Sequence, residues 1–260
     1  MSDIIDVNAS FGFWPFQKFS LRTLDEMDEA YARERIETVW ISANEAILLP
    51  ENEEPELSLF SEINRFSRFK AVKTIDPSLR NWRVKSIQTI KEYDIKAIKI
   101  FPNYHHYDLD SAPAVDLYRF AADCGLPVLV QMRVNDERNQ PFCCKVPGVS
   151  VSKLAEVSKK HPDVTFIALS AYFYFADIAK LVQGGSNLLF DIAYMDFDNT
   201  LDRLVECAPL ERIVFGSASP FLHLKSASLK LEHCNLNPLS RQAIASENLK
   251  QALDRNNRKK

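Results

Sequence analysis

Glycine is scarce in this sequence, with six residues among 260. Neither G-x-G-x-x-G nor G-x-x-x-x-G-K occurs, and these are the spacings with which a backbone loop wraps a phosphate. Their absence disfavours a dinucleotide-binding loop and a P-loop. Long apolar runs are also absent, since no stretch approaches the roughly 20 residues that cross a bilayer. We therefore expect no association with a membrane.

Neither sign of charge is in clear excess. Lys and Arg number 32 and Asp and Glu number 35, so the formal net charge is −3. Nucleic-acid-binding domains usually carry a basic excess, and we expect no nucleic-acid partner. The first residues, Met1–Asp6, lack the basic start and the apolar run of a secretion signal. The five cysteines are an odd number, which favours free thiols in a reducing, cytoplasmic location.

Short β-type apolar runs alternate with helical patterns along the whole chain. About eight β-α units in about 250 residues predict an α/β fold, a (β/α)₈ TIM barrel, as a single domain over residues 1–260. An open doubly wound sheet is the alternative. The last five residues are expected to fray, after one helical stretch at Leu222–Leu253. The predicted strands are Ile4–Val7, Thr38–Ala43, Phe69–Ile75, Ala97–Phe101, Pro127–Gln131, Val164–Ser170, Asn187–Ile192 and Arg212–Phe215.

Polar residues cluster where the predicted strands end. In TIM barrels the site lies at the carboxyl ends of the strands, so these residues are expected to line the barrel mouth and to bind a small polar or anionic molecule. The ones from which we expect ligand contacts are Asn8, Ser10, Asn103, Gln131, Arg133, Ser170 and Asp191.

Three residues are candidates for catalysis. His105 could transfer protons near neutral pH, together with Asp136, and Arg138 or Arg133 could hold an anionic group. The alternative for His105 and its neighbour His106 is an exposed ring and a cap on a backbone carbonyl. The alternative for the arginines is an ion pair with Asp136 that fixes the loop.

Aromatic residues near two strand ends suggest packing roles. Trp14, in Phe13-Trp14-Pro15-Phe16, is expected to form an apolar wall of the pocket and a plug over the barrel rim. Tyr172–Phe175 is expected to pack against helices or to form an oligomer contact, so a homo-oligomer is possible. Asp191 could be a base, although a turn cap is the simpler interpretation.

The order of several segments resembles a known family. Ile4–Gly12 has the form of a first strand with a glycine soon after it, and Arg212–Pro220 contains Gly216-Ser217-Ala218-Ser219-Pro220. Lys96–Val130, Phe166–Ala171 and Glu247–Leu249 lie in matching order. Together they resemble the amidohydrolase-related family of metal-dependent hydrolases and decarboxylases, whose fold is a distorted (β/α)₈ barrel.

The resemblance implies a metal site that this chain does not retain. The family holds a divalent metal with two histidines on the first strand, one each after the fifth and sixth, and an aspartate after the eighth. Here the matching residues are Asn8, Ser10, Gln131, Leu169 and Ala218, with Ser170 in the sixth-strand position if the match shifts by one. Catalytic zinc needs about three imidazole or anionic ligands. We therefore expect neither a metal nor another cofactor.

Three hypotheses follow for function. The first is a small-molecule hydrolase-family enzyme that works without the metal. The second is a non-catalytic barrel that senses a ligand or supports a partner enzyme. The third is a metal hydrolase with an unorthodox site built from His105, His106, Asp136 and Asp191, which requires those side chains to converge.

Overall fold

The described residues, 3–136, 138, 140–171 and 175–257 of a computed structural model, form an eight-stranded parallel barrel. The strands pair in sequence order, β1 with β2 through to β7 with β8. The TIM-barrel prediction is therefore confirmed. The strands are β1 Ile4–Phe11, β2 Ile36–Ala43, β3 Phe69–Thr74, β4 Ile95–Ile100, β5 Val128–Gln131, β6 Phe166–Leu169, β7 Leu188–Asp191 and β8 Ile213–Val214.

Helices follow the strands and cover the outside of the barrel. Thr23 and Glu26 form a capping box at the start of α1, which stabilises the first turn by pairing otherwise unbonded N–H groups. The helices are α1 Leu24–Arg33, α2 Glu45–Leu48, α3 Glu54–Ile63, α4 Trp82–Glu92, α5 Ala112–Cys124, α6 Val151–Lys160, α7 Phe175–Val182, α8 Thr200–Cys207, α9 Leu224–Glu232, α10 Pro238–Gln242 and α11 Asn248–Asn257.

The segment after β8 closes the barrel against β1. Val7 N donates to Phe215 O at 3.1 Å, and Ser10 N donates to Ser219 O at 2.9 Å. Ala9 and Ser219 also form a parallel bridge. Because these bonds continue on both sides of Asn8, they place the middle of β1 beside the segment that follows β8.

The barrel interior is apolar at its amino-terminal end. One buried cluster contains inward residues of the strands, including Trp40, Val72, Leu129 and Leu189, together with Leu249 from α11. A second and larger cluster packs the helices against the outer face of the strands. Polar inward residues are therefore confined to the other end of the barrel, where the site was expected.

Two elements differ most from their predicted form. β1 continues past Val7 to Phe11, so Asn8 and Ser10 lie within the strand and not after it. The stretch Leu222–Leu253 is not one helix, because Asn237 caps a new helix that begins at Pro238. The proline lacks an N–H and ends the continuous helical pattern. Among the described residues, no helix is long and apolar enough to span a bilayer.

Candidate functional site

The carboxyl ends of the strands bring a ring of buried polar side chains to the inside of the barrel. Residues two apart in a strand point to the same side, so the residue two positions after an inward apolar residue also faces inward. Trp40 precedes Ser42 in this way, and Ala97 precedes Lys99. This polar ring consists of Asn8, Ser42, Thr74, Lys99, Gln131, Ser170 and Asp191, all buried.

Asn8 joins the two charged members of the polar ring. Its Nδ2 donates to Asp191 Oδ2 at 2.7 Å and to Ser170 Oγ at 2.8 Å. Its Oδ1 accepts from Lys99 Nζ at 3.5 Å. These partners fix the direction of the amide, because only its nitrogen can donate. Asn8 is therefore an oriented dipole between an ammonium and a carboxylate.

Asp191 is fully buried at the end of β7. Its Oδ1 accepts from the backbone N–H of Ser170 at 3.0 Å and of Ala193 at 3.3 Å. Burial raises the pKa of Asp191 to about 6, and the bonds from Asn8, Ser170 and Ala193 oppose that rise. A Cβ at Gly216 would lie 2.7 Å from Asp191 Oδ2, so glycine at position 216 leaves room for the carboxylate.

Lys99 is the cation of the polar ring, and the sequence analysis did not single it out. Its side chain is 4% exposed. Nζ donates to Ser42 Oγ at 3.3 Å and to Asn8 Oδ1 at 3.5 Å, both long bonds. Burial lowers the pKa of Lys99 to about 8, against the attraction of Asp191 and Asp6. The alternation Ala97, Lys99 within a strand is the signal that could have identified it.

Asp6 lies behind the polar ring, on the side of β1 that faces the helices. It accepts from the hydroxyl of Tyr31 at 3.1 Å and from the backbone N–H groups of Asn8 and Ser217, both at 2.9 Å. Burial raises the pKa of the Asp6 carboxyl. These bonds hold β1, α1 and the segment after β8 together. We interpret Asp6 as a support for the backbone around Asn8.

A small cavity lies over the polar ring, under an aromatic cover. It measures about 10 Å³, which is room for about one water molecule. Its polar lining is Asn8, Ser10, Lys99 and Gln131, and its apolar lining is Ile47, Phe101, Val134, Ala218 and Phe221. The cover consists of Trp14, Phe19, Ile47, Phe101, Tyr104, Val134 and Phe221, packed as one cluster.

The residues of the mouth do not fit a divalent metal. At the positions that resemble the family's ligands, Leu169 packs in the apolar interior and Ala218 offers no donor. Asn8 already donates to Asp191, and the Lys99 ammonium next to it would repel a cation. In the described part of the chain, no three His, Cys, Asp or Glu side chains form a group that could hold a metal ion.

The unorthodox metal site is not formed. His105, His106, Asp136 and Asp191 are all described, and they do not converge into a group that could hold a metal ion. His105 Nε2 bonds Ile47 O at 3.1 Å. This matches the interpretation of one histidine as a cap on a backbone carbonyl. Burial lowers the pKa of the His105 ring, against the attraction of Asp76, so the neutral form is favoured there. His106 is exposed.

Asp136 and Arg138 bond each other and do not reach His105. Arg138 Nη2 lies 2.7 Å from Asp136 Oδ2, and the Arg138 side chain is 82% exposed. The hydrogen bond from Arg138 lowers the pKa of Asp136 to about 2. The structure therefore contains the ion pair expected as the alternative to anion binding. The joint role of His105, Asp136 and Arg138 in catalysis stays a prediction without geometric support.

Arg138→Ala tests whether this ion pair only shapes the loop. We expect the free energy of unfolding to change by less than about 0.5 kcal/mol, since exposed ion pairs contribute little. The pKa of Asp136 should rise from about 2 toward its ordinary value, as measured by NMR titration. A loss of more than about 2 kcal/mol in chemical denaturation would contradict a role limited to the loop.

The other predicted contact residues lie at different depths. Ser10 and Gln131 line the cavity, as expected. Trp14 belongs to the cover, and the centroids of its ring and the Phe221 ring are 5.4 Å apart. Asn103 Nδ2 donates to Pro147 O at 2.5 Å and ties two loops together. Arg133 lies beside Gly148, where a Cβ would be 2.9 Å from Nη2, and it does not line the cavity.

The predicted aromatic contact at Tyr172–Phe175 cannot be placed. Tyr172, Phe173 and Tyr174 lie outside the described residues, and α7 begins at Phe175. The possible homo-oligomer therefore stays a prediction.

Solved structures with the same fold cover nearly the whole chain. A 2,6-dihydroxybenzoate decarboxylase from Rhizobium is 13% identical, with a TM-score of 0.73 over 98% of this chain and 99% of the other. A dihydroxybenzoic acid decarboxylase from Polaromonas, with bound manganese and 2-nitroresorcinol, is 15% identical, with a TM-score of 0.75 over 98% of each chain. A probable 2-pyrone-4,6-dicarboxylic acid hydrolase from Acinetobacter baumannii is 8% identical, with a TM-score of 0.67 over 96% of this chain and 99% of the other.

The comparison with protein families agrees with the resemblance seen in the sequence. No curated protein matches the chain. The family model described as Amidohydrolase matches residues 56–254, which is more than half of the 260 residues. The low identity of the solved structures shows the shared barrel, and the family match shows the relationship. This chain belongs to the amidohydrolase family.

Proposed function

We propose that this protein is a metal-independent amidohydrolase-family enzyme that acts on a small polar or anionic molecule in the barrel mouth. One observation carries the proposal. One position at which the resemblance locates a metal ligand is taken by Asn8, whose amide is bonded to Asp191 and lies beside Lys99. The described residues of the mouth therefore offer amides, hydroxyls and one ammonium, but no set of metal ligands.

These groups can support hydrolysis or decarboxylation without a metal ion. Hydrolysis builds negative charge on the carbonyl oxygen, whereas decarboxylation leaves the electron pair of the broken C–C bond on carbon, from which a conjugated carbonyl oxygen can take it up. Fixed hydrogen-bond donors stabilise charge on such an oxygen strongly when water is excluded. The Lys99 ammonium lines the cavity and can donate to such an oxygen. Asp191 does not line the cavity, so it acts through Asn8 as a positioning residue.

The solved neighbours suggest which compounds to test first. Two are named as dihydroxybenzoate decarboxylases and one as a probable hydrolase of a pyrone dicarboxylic acid. Small ring carboxylates are therefore the first candidates as substrates.

Metal analysis tests the proposal. Protein purified without chelator is expected to contain zinc, manganese and iron only well below one equivalent. Turnover of ring carboxylates should survive treatment with EDTA. Stoichiometric metal, or activity that EDTA abolishes and metal restores, would refute metal independence.

A non-catalytic ligand-binding barrel is the second candidate. It is favoured by the aromatic cover, which leaves room for about one water over the polar ring. A thermal-shift screen of small carboxylates separates the two, since a ligand that binds the folded state raises the melting temperature. Stabilisation with turnover supports the enzyme, and stabilisation without turnover supports the binding barrel.

A further inference from the structure

Lys99 carries a buried charge whose hydrogen-bond partners are both neutral. Nζ bonds the hydroxyl of Ser42 and the amide oxygen of Asn8, at 3.3 and 3.5 Å. The ring of Phe101 lies over it, with its centroid 5.5 Å from Nζ. An ammonium removed from water is costly unless an opposite charge contacts it. No described carboxylate bonds this one.

The two carboxylates that attract Lys99 most, Asp191 and Asp6, accept hydrogen bonds from other groups. Asp191 accepts from Asn8, Ser170 and Ala193. Asp6 lies on the outer side of β1, where Tyr31 and Ser217 donate to it. Both attract Lys99 without contacting it. The described residues therefore supply no counter-ion in contact with Nζ, and a bound anion is the candidate for that place.

The wall on either side of Lys99 holds two polar atoms without a partner. Thr74, which pairs with Lys99 between β3 and β4, has an unbonded Oγ1. Gln131 donates through Nε2 to Arg133 O at 2.6 Å, so the free atom is the acceptor Oε1. Gln131 is buried and lines the cavity. Thr74 does not line the cavity, whereas Gln131 does, and Gln131 Oε1 requires a donor on the ligand.

We infer that Lys99 binds the carboxylate of a small hydroxy acid, whose hydroxyl donates to Gln131 Oε1. Buried polar atoms are usually satisfied, and this ligand supplies both the missing negative charge and the missing donor. The carboxylate is larger than the present cavity, so the aromatic cover must move outward to admit it. The inference deepens the proposed function, since it concerns the same cavity and names the class of ligand.

Three small probes of matched size separate the contributions to binding. Glycolate carries both groups, acetate lacks the hydroxyl, and glycolamide lacks the charge. At pH 7 we expect glycolate to bind at least tenfold more tightly than glycolamide, and acetate to lie between them, as measured by NMR titration of chelator-treated protein. The affinity for glycolate should fall tenfold per pH unit above about 8, as Lys99 loses its proton.

Variants assign the charge to one lysine. Lys99→Met should make glycolate and glycolamide bind equally. Lys96→Met is the matched control, because Lys96 lies on the same strand but pairs with Asp94 on the outside, and it should change nothing. Equal affinity of the wild type for the charged and neutral probes, or no binding of any probe at millimolar concentration, would overturn the inference. So would tight glycolate binding by Lys99→Met.

The two proposals fail in different experiments. A stoichiometric metal in the untreated protein would refute metal independence, yet the chelator-treated protein would still report how Lys99 binds carboxylates. The pH dependence of glycolate affinity is measured on the wild type, so this test does not depend on whether a variant folds.

Discussion

Replacement of Lys99 by methionine is expected to raise the free energy of unfolding by about 2 kcal/mol at pH 7. Burial lowers the pKa of Lys99 from 10.5 to about 8, and at about 1.4 kcal/mol per unit the charged form costs about 3 kcal/mol. Removing the charge therefore stabilises the fold by about 3 kcal/mol, and losing the hydrogen bonds to Asn8 and Ser42 offsets about 1 kcal/mol of this. Methionine fills a similar volume without a charge.

The dependence on pH makes this expectation specific. In the wild type the unfolded chain holds more protons than the folded chain between pH 8 and 10.5, so stability rises with pH across that range. The difference in free energy of unfolding between Lys99→Met and the wild type is therefore largest at pH 7 and decreases toward pH 10. Urea denaturation at pH 7 and 9.5 measures it, with Lys96→Met as the control. A variant less stable than the wild type at pH 7 would contradict the argument.

Asp191→Asn is expected to shift the stability difference from the wild type by about 2 kcal/mol between pH 4 and 7. Burial raises the pKa of Asp191 from 3.8 to about 6, so the folded wild type holds an extra proton in this range. Stability from this group is present below pH 3.8 and is lost as the pH rises through about 6. Asparagine does not titrate, so the difference moves in favour of the variant as the pH rises.

At any single pH, the free energies of unfolding of Asp191→Asn and the wild type also differ for reasons other than titration. An asparagine at 191 keeps an oxygen for the N–H groups of Ser170 and Ala193 but points its own NH₂ at Asn8. If Asn8 turned over, its NH₂ would face the Lys99 ammonium. Only the slope with pH therefore tests the titration of Asp191, with Asp198→Asn as a control for the change in net charge. Parallel denaturation profiles would show that Asp191 does not titrate near pH 6.

The barrel could be predicted because the hydrophobic pattern of each strand and helix lies within a short stretch of sequence. Strands such as Val128–Gln131 and helices such as α5 show their period within a dozen residues, and Gly125 ends α5 in the left-handed conformation that glycine adopts easily. The bounds of β1 could not be predicted, since its second half is held by Ser219 and by β2, far away in the sequence.

The position of several candidate residues could be predicted from the sequence. Asn8, Ser10, Gln131, Ser170 and Asp191 were expected at the mouth, and the structure places them on or beside the cavity. Their role in ligand binding stays a prediction. The loss of the metal ligands could also be anticipated, because side-chain chemistry can be judged without coordinates.

Lys99 and His105 show what the sequence alone does not contain. The search for site residues began after each strand, whereas Lys99 lies within β4 and is buried only because the barrel closes around it. His105 lies in a loop at the mouth, but its ring bonds Ile47, which comes 58 residues earlier in the chain. Burial and partners that arise from distant segments have no local signal.

The aromatic cover has no single hinge. Trp14 follows β1, Ile47 lies in α2, Phe101 and Tyr104 follow β4, Val134 follows β5 and Phe221 follows β8. Because separate loops contribute interlocked rings, one loop cannot swing away and leave the others in place. We therefore expect access to the cavity to require several loops to move together, so that uptake of a ligand of the proposed class should be limited by this movement and not by diffusion.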